Sequence, residues 1–421
     1  MNKFNKFAAA AAAFALAAAS SSCGAPEAIT IGKGTQTALT VDGYDVPAGV
    51  FIYNELYAYN QAAYELYGTL GKMSTVDEVK EHQFDTLDAT DWIQDKATEQ
   101  CIDFVANEKE FEKIGGELTK EQLAEIKTFV DSNGQDALFI ENGVGEESLT
   151  KVMENNYKRE VIFKHYYGLD CEKGCSEEEL KEYYQDKTTR VKYFAVSMVD
   201  DNSDAFGADE KRRLNNMVDD YIKEINAESS NSAKLKKIDE CEKEYSEYVE
   251  KRAAEAAAKA AEESGETTTT TTTVTTTSGV TTTTTTDPYA NEVTVTKRTT
   301  TTVDPKASAD VTTTTASAEA LASQKAYEDY NDYIFDTLGL YKAEKYQYDE
   351  NTVYVIIKAD IKERMNSADL WSESTIESLL SERYYDEFED MIKSIANGLT
   401  SEKNSAAYRK FTPFKLNLES M

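Results

Sequence analysis

Residues 267–315 decide how this chain divides into domains, and they read TTTTTTTVTTTSGVTTTTTTDPYANEVTVTKRTTTTVDPKASADVTTTT. Of these 49 residues 26 are threonine, and scarcely any side chain among them can join a hydrophobic core. Burial of so little apolar surface does not offset the entropy lost on ordering the backbone, so we expect disorder over residues 267–317. This threonine tract is either a linker between two domains or a long insertion within one domain.

The beginning of the chain has the pattern of an export signal. Lys3 and Lys6 give it a positive charge, and the apolar run Phe7–Ala19 (FAAAAAAFALAAA) follows. At 13 residues this run is shorter than the roughly 20 residues that a membrane-spanning helix needs. We therefore expect residues 1–22 to be a signal peptide and not a transmembrane helix.

Small residues lead directly into Cys23, and the segment resembles a bacterial lipobox. It departs from that motif at Ser20, where the motif prefers leucine. The resemblance implies that Cys23 becomes the first mature residue, is acylated and is followed by a polar tether over residues 23–36. The mature protein would then be exported and lipid-anchored to the outer face of the bacterial cytoplasmic membrane. The alternative is an ordinary secretory signal with a chance cysteine.

The mature chain is strongly acidic. Without residues 1–22 it has 43 basic and 77 acidic side chains, a net charge of −34. This charge excludes nucleic acid as a partner and opposes docking on anionic lipid, because both are negatively charged. No stretch after the signal is apolar enough to cross a bilayer. We expect a soluble exported body that is attached to the membrane through its N-terminal lipid.

The mature body has four further cysteines, Cys101, Cys171, Cys175 and Cys241. Outside the cytoplasm an even number permits disulfides, and the glycine before Cys175 lets the chain turn back toward Cys171. A local disulfide between these two is one prediction, and free, partly buried thiols are the alternative. Neither the spacing of the cysteines nor their neighbours suits zinc, so we expect no metal and no cofactor.

Hydrophobic periodicity predicts an α+β chain that is mainly helical. Thr37–Val46 alternates around an Asp-Gly turn and predicts a small hairpin, after which apolar residues recur at helical spacing up to residue 187. Arg190–Val199 (RVKYFAVSMV) and Thr352–Asp360 (TVYVIIKAD) are rich in β-branched and aromatic residues, as strands are. Near the end, Ser372–Ala396 has the pattern of a long amphipathic helix.

The first long helix has a wide aromatic stripe that includes Phe51, Tyr53, Tyr57 and Tyr64. One interpretation is an aromatic face buried against neighbouring helices, because such side chains contribute much of a helical core. The other is a groove for unfolded peptide, in which these four side chains form the peptide-binding face.

The order of these elements resembles that of the SurA/PrsA-type extracytoplasmic foldases. The resemblance covers nearly the whole mature chain outside the threonine tract, and the order and spacing of its motifs carry it. Those motifs are the lipobox-like start, the strand and turn Leu39–Gly43, the helix Glu147–Gly168, the capped helix start Ser176–Tyr184 and the strand Val191–Val199.

In that family the helices on both sides of a parvulin-like isomerase module come together as one chaperone domain. The resemblance therefore implies a helical chaperone domain built from residues 37–188 and 369–421. It also implies an inserted parvulin-like α/β module built from residues 189–266 and 318–368, with the threonine tract as a disordered loop of that module. Unfolded or newly exported polypeptides would be the partners.

The catalytic residues of a parvulin have no counterpart in this chain. The family's active site has a pair of hydrogen-bonded histidines beside a cysteine or aspartate, whereas the two histidines here, His82 and His165, both precede the module. Cys241 could replace the cysteine, but the sequence places no histidine opposite it. We therefore expect a binding protein with no catalytic residue, and not an enzyme.

Two other functions stay open at this point. A divergent module could still be an active peptidyl-prolyl cis-trans isomerase, because the reaction needs only a pocket that favours the twisted amide. Threonine-rich tracts can also be glycosylated stalks, in which case the protein would be a surface-displayed structural or adhesive lipoprotein.

Overall fold

The computed structural model describes residue 29 and residues 31–200, 203–264, 289, 291–298 and 318–418. The predicted signal peptide, its acylation site Cys23 and most of the threonine tract lie outside these segments. Helices predominate in the described residues and the strands form small antiparallel sheets, which confirms a mainly helical α+β fold. None of the described helices is both long enough and apolar enough to cross a membrane.

The described residues divide into two compact units. Those up to Lys181 and from Trp371 onward form the helical unit, whereas Glu182–Leu370 supply the sheet unit. The helical unit therefore contains segments from both sides of the sheet unit in the sequence. The sequence predicts these boundaries after residues 188 and 368.

The N-terminal part of the helical unit is a hairpin followed by helices that short turns connect. The turn residues Asp42 and Gly43 both have positive φ, 53° and 82°, which a two-residue turn between twisted strands requires. The elements are β1 Thr37–Val41, β2 Tyr44–Pro47, α1 Ala48–Leu70, α2 Val76–Glu81, β3 Gln83–Phe84, β4 Leu87–Asp88, α3 Ala89–Lys113, α4 Lys120–Asn133, α5 Ala137–Glu141, α6 Glu146–Tyr167 and α7 Glu177–Lys187, which leads into the sheet unit.

Polar side chains fix where several of these helices begin. At the start of α4 the backbone N–H of Gln122 donates to Thr119 Oγ1 at 3.1 Å, and the N–H of Thr119 donates to Gln122 Oε1 at 2.9 Å. Ser176 and Glu179 form the same pair of bonds at the start of α7. These bonds satisfy N–H groups that have no partner within the helix.

The core of the helical unit lies where α1, α3 and α6 meet. Phe51, Leu56, Ile93, Val105 and Leu149 are all fully buried in one apolar cluster. On α6 the buried residues Leu149, Val152 and Met153 recur at helical spacing, so that this helix turns one apolar stripe toward the others. Full burial of one such side chain contributes about 1.5–3 kcal/mol, and this packing stabilises the helices more than their intrinsic propensity does.

The sheet unit is a four-stranded antiparallel sheet with the strand order β6-β5-β8-β7. Strands β5 and β8 come from opposite ends of the unit's sequence and pair in the centre, from Arg190 opposite Ala359 to Ser197 opposite Thr352. The elements are β5 Thr188–Ser197, α8 Ala208–Ala227, α9 Asn231–Ser264, β6 Val293–Thr296, α10 Ala318–Asp332 with a π-helical turn Tyr333–Thr337, β7 Glu344–Asp349 and β8 Thr352–Ala359.

Side chains alternate between the two faces of this sheet. On one face Phe194 and Val355 belong to an apolar cluster with α8 and α9. On the other face Val191 and Ile356 pack against Ile334 of the π-helical turn after α10. Both faces of β5 and β8 are thus covered, which explains why apolar and aromatic residues run without alternation through Tyr193–Val196 and Val353–Ile357.

Part of the threonine tract is ordered, contrary to the predicted disorder over residues 267–317. Val293–Thr296 is strand β6 and pairs with the start of β5, from Val191 opposite Val293 to Thr188 opposite Thr296. The high threonine content does not by itself predict this strand. The sequence VTVT nevertheless has high β propensity, and it pairs with the edge of the sheet at β5. A buried charged residue directly before the strand fixes it in place.

That residue is Glu292, and the buried guanidinium of Arg190 holds it. Arg190 Nη1 donates to Glu292 Oε2 at 2.9 Å, and Nη2 donates to Glu363 Oε2 at 3.0 Å. Both Nε and Nη2 also donate to the carbonyl of Asp360, at 3.1 and 2.6 Å. The side chains of Arg190 and Glu292 are only 0% and 3% exposed, so this pairing compensates the desolvation of both charges and anchors the tract.

The last segment of the chain returns to the N-terminal hairpin. Strand β9 pairs with β1 in a sheet of order β2-β1-β9. Asn404 Nδ2 then donates to the carbonyls of Gly34 at 3.0 Å and Thr37 at 2.9 Å. The elements of this segment are α11 Glu373–Asn397, β9 Ser401–Lys403, α12 Ser405–Lys410 and a 3-10 turn Pro413–Lys415.

Candidate functional site

The four aromatic residues that were predicted to form one peptide-binding face have different surroundings. Phe51 is fully buried in the core, where its ring lies 4.5 Å from that of Tyr408. Tyr53 is also buried, Tyr57 is half-buried, and Tyr64 is exposed. A single peptide-binding face made of all four is therefore wrong, because the C-terminal segment covers the side of α1 that carries Phe51.

Tyr53 and Tyr57 line a cleft in the helical unit between α1, α3, α6 and α11. The cleft holds about 910 Å³ of space between protein atoms, part of which is open to solvent. The apolar side chains that line it are Tyr53, Tyr57, Phe104 and Val152. Its amide side chains are Asn54, Gln61, Gln100, Asn107, Asn155 and Asn156, and its charged side chains are Asp103, Arg159 and Glu389.

A chain of amide hydrogen bonds forms one wall of the cleft. Asn107 Nδ2 donates to Asn155 Oδ1 at 3.1 Å, and Asn155 Nδ2 donates to the Phe104 carbonyl at 2.9 Å and to Glu108 Oε1 at 2.8 Å. Asn107 and Asn155 are both almost fully buried. Because these bonds join α3 to α6, the wall is held in one arrangement before any ligand arrives.

Arg159 and Glu389 form an ion pair at the end of the cleft. The guanidinium of Arg159 also lies 4.9 Å from the centre of the Phe388 ring, which adds a cation–π contact. These contacts hold α11 against α6, so a segment from beyond the sheet unit in the sequence completes the cleft.

Two acceptors in the cleft have no partner within the described chain. Gln100 Nε2 donates to Gln61 Oε1 at 3.2 Å, but the buried oxygen Gln100 Oε1 accepts nothing. Asp103 lies one helical turn further along α3, and no hydrogen bond or ion pair of its carboxylate occurs among the described residues. Burial raises the pKa of Asp103, an effect that Arg159 opposes and Glu389 reinforces.

A second group of polar side chains is buried behind the cleft, between α1, α3 and α12. Glu55 is 0% exposed, and its Oε1 accepts from Gln94 Nε2 at 3.2 Å, whereas its Oε2 has no partner in the described structure. Burial raises the pKa of Glu55 well above its ordinary value, an effect that the hydrogen bond from Gln94 opposes, so the surroundings favour the protonated carboxyl. The adjacent thiol Cys101 is fully buried, and this burial raises its pKa to about 12. A thiol in this state is no nucleophile.

Cys171 and Cys175, between which a disulfide was predicted, are free thiols in the structure. Cys171 Sγ donates to the Lys164 carbonyl at 3.4 Å, and Cys175 is buried. Backbone bonds close the turn in place of a bridge: Asp170 N donates to the Cys175 carbonyl at 3.0 Å, and Gly174 N to the Cys171 carbonyl at 3.1 Å. The predicted bridge is therefore not needed to hold this turn.

The other residues considered for chemistry lie apart from the cleft. Cys241 is 1% exposed in the core of the sheet unit, where burial raises its pKa to about 11. His82 and His165 lie in the helical unit, and each packs edge-on against a neighbouring ring, of Phe84 and Tyr166 respectively. No group of three or more histidine, cysteine or acidic side chains suited to a metal ion occurs in the part of the chain that the structure describes.

The sheet unit contains a cluster of tyrosines that the sequence does not reveal. Tyr330 of α10 is buried at its centre, and its ring lies 5.5 to 6.2 Å from four others. The Tyr330 hydroxyl has no partner in the described structure, and burial raises its pKa. The members of this tyrosine cluster are Tyr193, Tyr330, Tyr333, Tyr346, Tyr348 and Tyr354.

The polar residues of the cleft were also missed, although the sequence carries a weak signal for them. Gln100, Asp103 and Asn107 follow one another at three- and four-residue spacing on α3. Asn155 and Arg159 do the same on α6. Such a polar stripe normally faces solvent, and only the packing of α11 across it turns it into the lining of a cleft.

Comparisons with known proteins identify no relative. No protein-family model matches the chain, and neither the curated proteins nor the solved structures include a significant match.

Proposed function

We propose that the protein is a lipid-anchored extracytoplasmic chaperone that binds unfolded or newly exported polypeptides and releases them without chemistry. Cys23 is the proposed site of acylation, at the outer face of the bacterial cytoplasmic membrane. The observation that carries the proposal is the open cleft of the helical unit, where aromatic rings and amide side chains face the same space.

The lining of the cleft suits an extended polypeptide of variable sequence. Such a chain presents backbone N–H and C=O groups that must find partners when they leave water. Amide side chains both donate and accept, so Asn54, Gln61 and Asn156 can bond a backbone whatever side chains it has. The rings of Tyr57 and Phe104 offer apolar contact to client side chains of different shapes.

The organisation of the chain supports the same proposal. The resemblance to the SurA/PrsA-type foldases implies a module whose sheet takes strands from both of its ends, and β5 and β8 are such strands. It also implies a chaperone domain with segments on both sides of that module, as in the helical unit. The chain has no histidine after His165, so we assign no isomerase chemistry to the sheet unit.

A light-scattering assay with an aggregating client tests the proposal. The mature protein at an equimolar ratio is expected to suppress aggregation. Tyr57→Ala should raise the concentration needed for half-suppression about fivefold, because an aromatic contact contributes about 1 kcal/mol. The matched control is Tyr327→Ala, which removes an exposed tyrosine from α10 of the sheet unit and should leave suppression unchanged.

Two results would overturn the proposal. One is the absence of suppression by the mature protein at an equimolar ratio. The other is equal loss of suppression in the Tyr57 and Tyr327 variants, which would show that the cleft is not where the client binds. A protease-coupled assay on a proline peptide should meanwhile give the uncatalysed rate of isomerisation.

A further inference from the structure

The two acceptors without partners lie on the same face of α3. Gln100 and Asp103 are three residues apart, which places their side chains next to each other on a helix. Both line the cleft, and both also line the groove beside it that continues along α1 to Tyr64. The Gln100 Oε1 oxygen is buried without a donor in the described structure, so a ligand that supplies a donor there relieves an unfavourable burial.

The charged groups around Asp103 are engaged elsewhere or act on it from a distance. Arg159 is paired with Glu389, and Lys96 with Glu99 at 3.0 Å. The exposed Lys393 lowers the pKa of Asp103 through its charge, without a hydrogen bond to the carboxylate. The carboxylate therefore stands beside two ion pairs with no cation of its own, and this arrangement attracts a positively charged donor.

We propose that Gln100 and Asp103 form a subsite for a primary ammonium group, namely the side chain of a lysine in the bound polypeptide. The inference rests on the proposed function, since the cleft must first hold a polypeptide. An ammonium group is compact and has three donors in different directions, which suits a carboxylate and an amide oxygen one helical turn apart. The half-buried ring of Tyr57 lies in the same cleft and is suited to a cation–π contact.

This subsite explains how an acidic protein can prefer some unfolded chains to others. Contacts of the amide wall with a backbone are independent of client sequence, whereas an ammonium subsite selects segments that contain lysine. A metal ion is a poor occupant of the same place, because no suitable cluster of ligands occurs among the described residues.

The test is direct binding of one peptide in three forms. An extended peptide, acetylated at its N-terminus and amidated at its C-terminus, contains a single lysine, an Nε-acetyl-lysine or an arginine at the same position. We expect the lysine peptide to bind the mature protein about tenfold more tightly than the acetyl-lysine peptide, since a hydrogen bond to a charged group is lost. The planar arginine side chain should fall between the two.

Two variants test whether Asp103 is responsible for the preference for the lysine peptide. Asp103→Asn should lower the affinity for the lysine peptide about tenfold and leave that for the acetyl-lysine peptide unchanged. Glu112→Gln, at an exposed position of the same helix, is the matched control and should change neither affinity. Asp103→Asn removes a half-buried charge, so the midpoint temperature of thermal unfolding of this variant should not fall below that of the wild type. That result excludes unfolding as the cause of the lower affinity.

The outcomes separate this inference from the proposed function. Equal binding of the lysine and acetyl-lysine peptides would refute the subsite and leave polypeptide binding intact. An arginine peptide that binds more tightly than the lysine peptide would also refute it. If none of the three peptides binds, both the chaperone proposal and the subsite fail.

Discussion

Arg190 in the sheet unit and Glu55 in the helical unit are both fully buried, yet their surroundings differ. All three guanidinium nitrogens of Arg190 donate to carboxylates or to a backbone carbonyl. Glu55 has one donor, from Gln94, and its second oxygen has none among the described residues. Asp103, also in the helical unit, is half-buried and has no partner in the described structure.

The difference separates two uses of buried charge. In the sheet unit the charges join segments that are distant in the sequence, and their pairing makes them structural. In the helical unit incomplete pairing lowers stability and leaves acceptors that a ligand can use. This unit is also the one with the cleft, as expected where function opposes stability.

The largest expected effect is the loss of Arg190. Arg190→Met leaves the buried Glu292 with the longer ion pair to Arg364, at 3.3 Å, and removes the donors of Arg190 to Glu363 and Asp360. This should lower the free energy of unfolding of the sheet unit by up to about 3–5 kcal/mol. Both tryptophans, Trp92 and Trp371, belong to the helical unit. The urea concentration at the midpoint of unfolding should therefore fall strongly when circular dichroism is the probe. The midpoint measured by tryptophan fluorescence should stay the same.

The matched control for that change is Arg212→Met. The side chain of Arg212 is 70% exposed and its ion pair, among the residues that the structure describes, is with Asp209 on the same helix, so its loss should cost well under 1 kcal/mol. A loss as small in the Arg190 variant would mean that the buried network does not stabilise the sheet unit.

Replacement of Glu55 by glutamine should have an intermediate effect that depends on pH. The carboxyl titrates near pH 4.3 in the unfolded chain, and burial raises its pKa in the folded protein. Between these two pKa values only the folded state holds the proton. The free energy of unfolding of the wild type therefore falls as pH rises, by up to about 1.4 kcal/mol per unit.

Glu55→Gln should remove this part of the pH dependence and make the helical unit more stable than the wild type as pH rises. Urea denaturation by tryptophan fluorescence at several pH values above 5 measures the difference. Glu65→Gln, at an exposed position of the same helix, should keep the wild-type pH dependence. Parallel curves for the wild type and the Glu55 variant would refute a raised pKa of the buried Glu55 carboxyl.

The smallest expected effect concerns the Tyr330 hydroxyl. Unlike Arg190, this buried polar group of the sheet unit has no partner in the described structure. Because it is buried without a partner, Tyr330→Phe should raise the free energy of unfolding by up to about 1 kcal/mol. The comparison is Tyr245→Phe, which deletes a hydroxyl that accepts from Ser197 N at 3.0 Å and should lower stability by about 1 kcal/mol. If circular dichroism shows that both variants change the free energy of unfolding in the same direction, the assignment of the Tyr330 hydroxyl as unpaired is wrong.

Features that depend on local periodicity could be predicted from the sequence. The hairpin around Asp42, the capped helix starts at Thr119 and Ser176, and the two central strands all follow from patterns within a few residues. The strand in the threonine tract did not, because what anchors it, Arg190, lies 102 positions from Glu292 in the sequence. Composition contains no information about such a distant partner.

The cleft was only partly predictable for the same reason. The aromatic stripe on α1 was visible, but the burial of Phe51 depends on Tyr408 from the other end of the chain. Asp103 and Asn107 look like solvent-facing positions until α11 packs beside them. Chemistry that is assembled from segments on both sides of an insertion leaves little trace in any one of them.

The short strand β6 also has a consequence for the sheet itself. It pairs with β5 and so occupies the backbone N–H and C=O groups at that edge of the sheet, from Thr188 to Val191. Unpaired edge strands are templates for pairing with other chains, so this part of the threonine tract protects β5 against edge-to-edge aggregation.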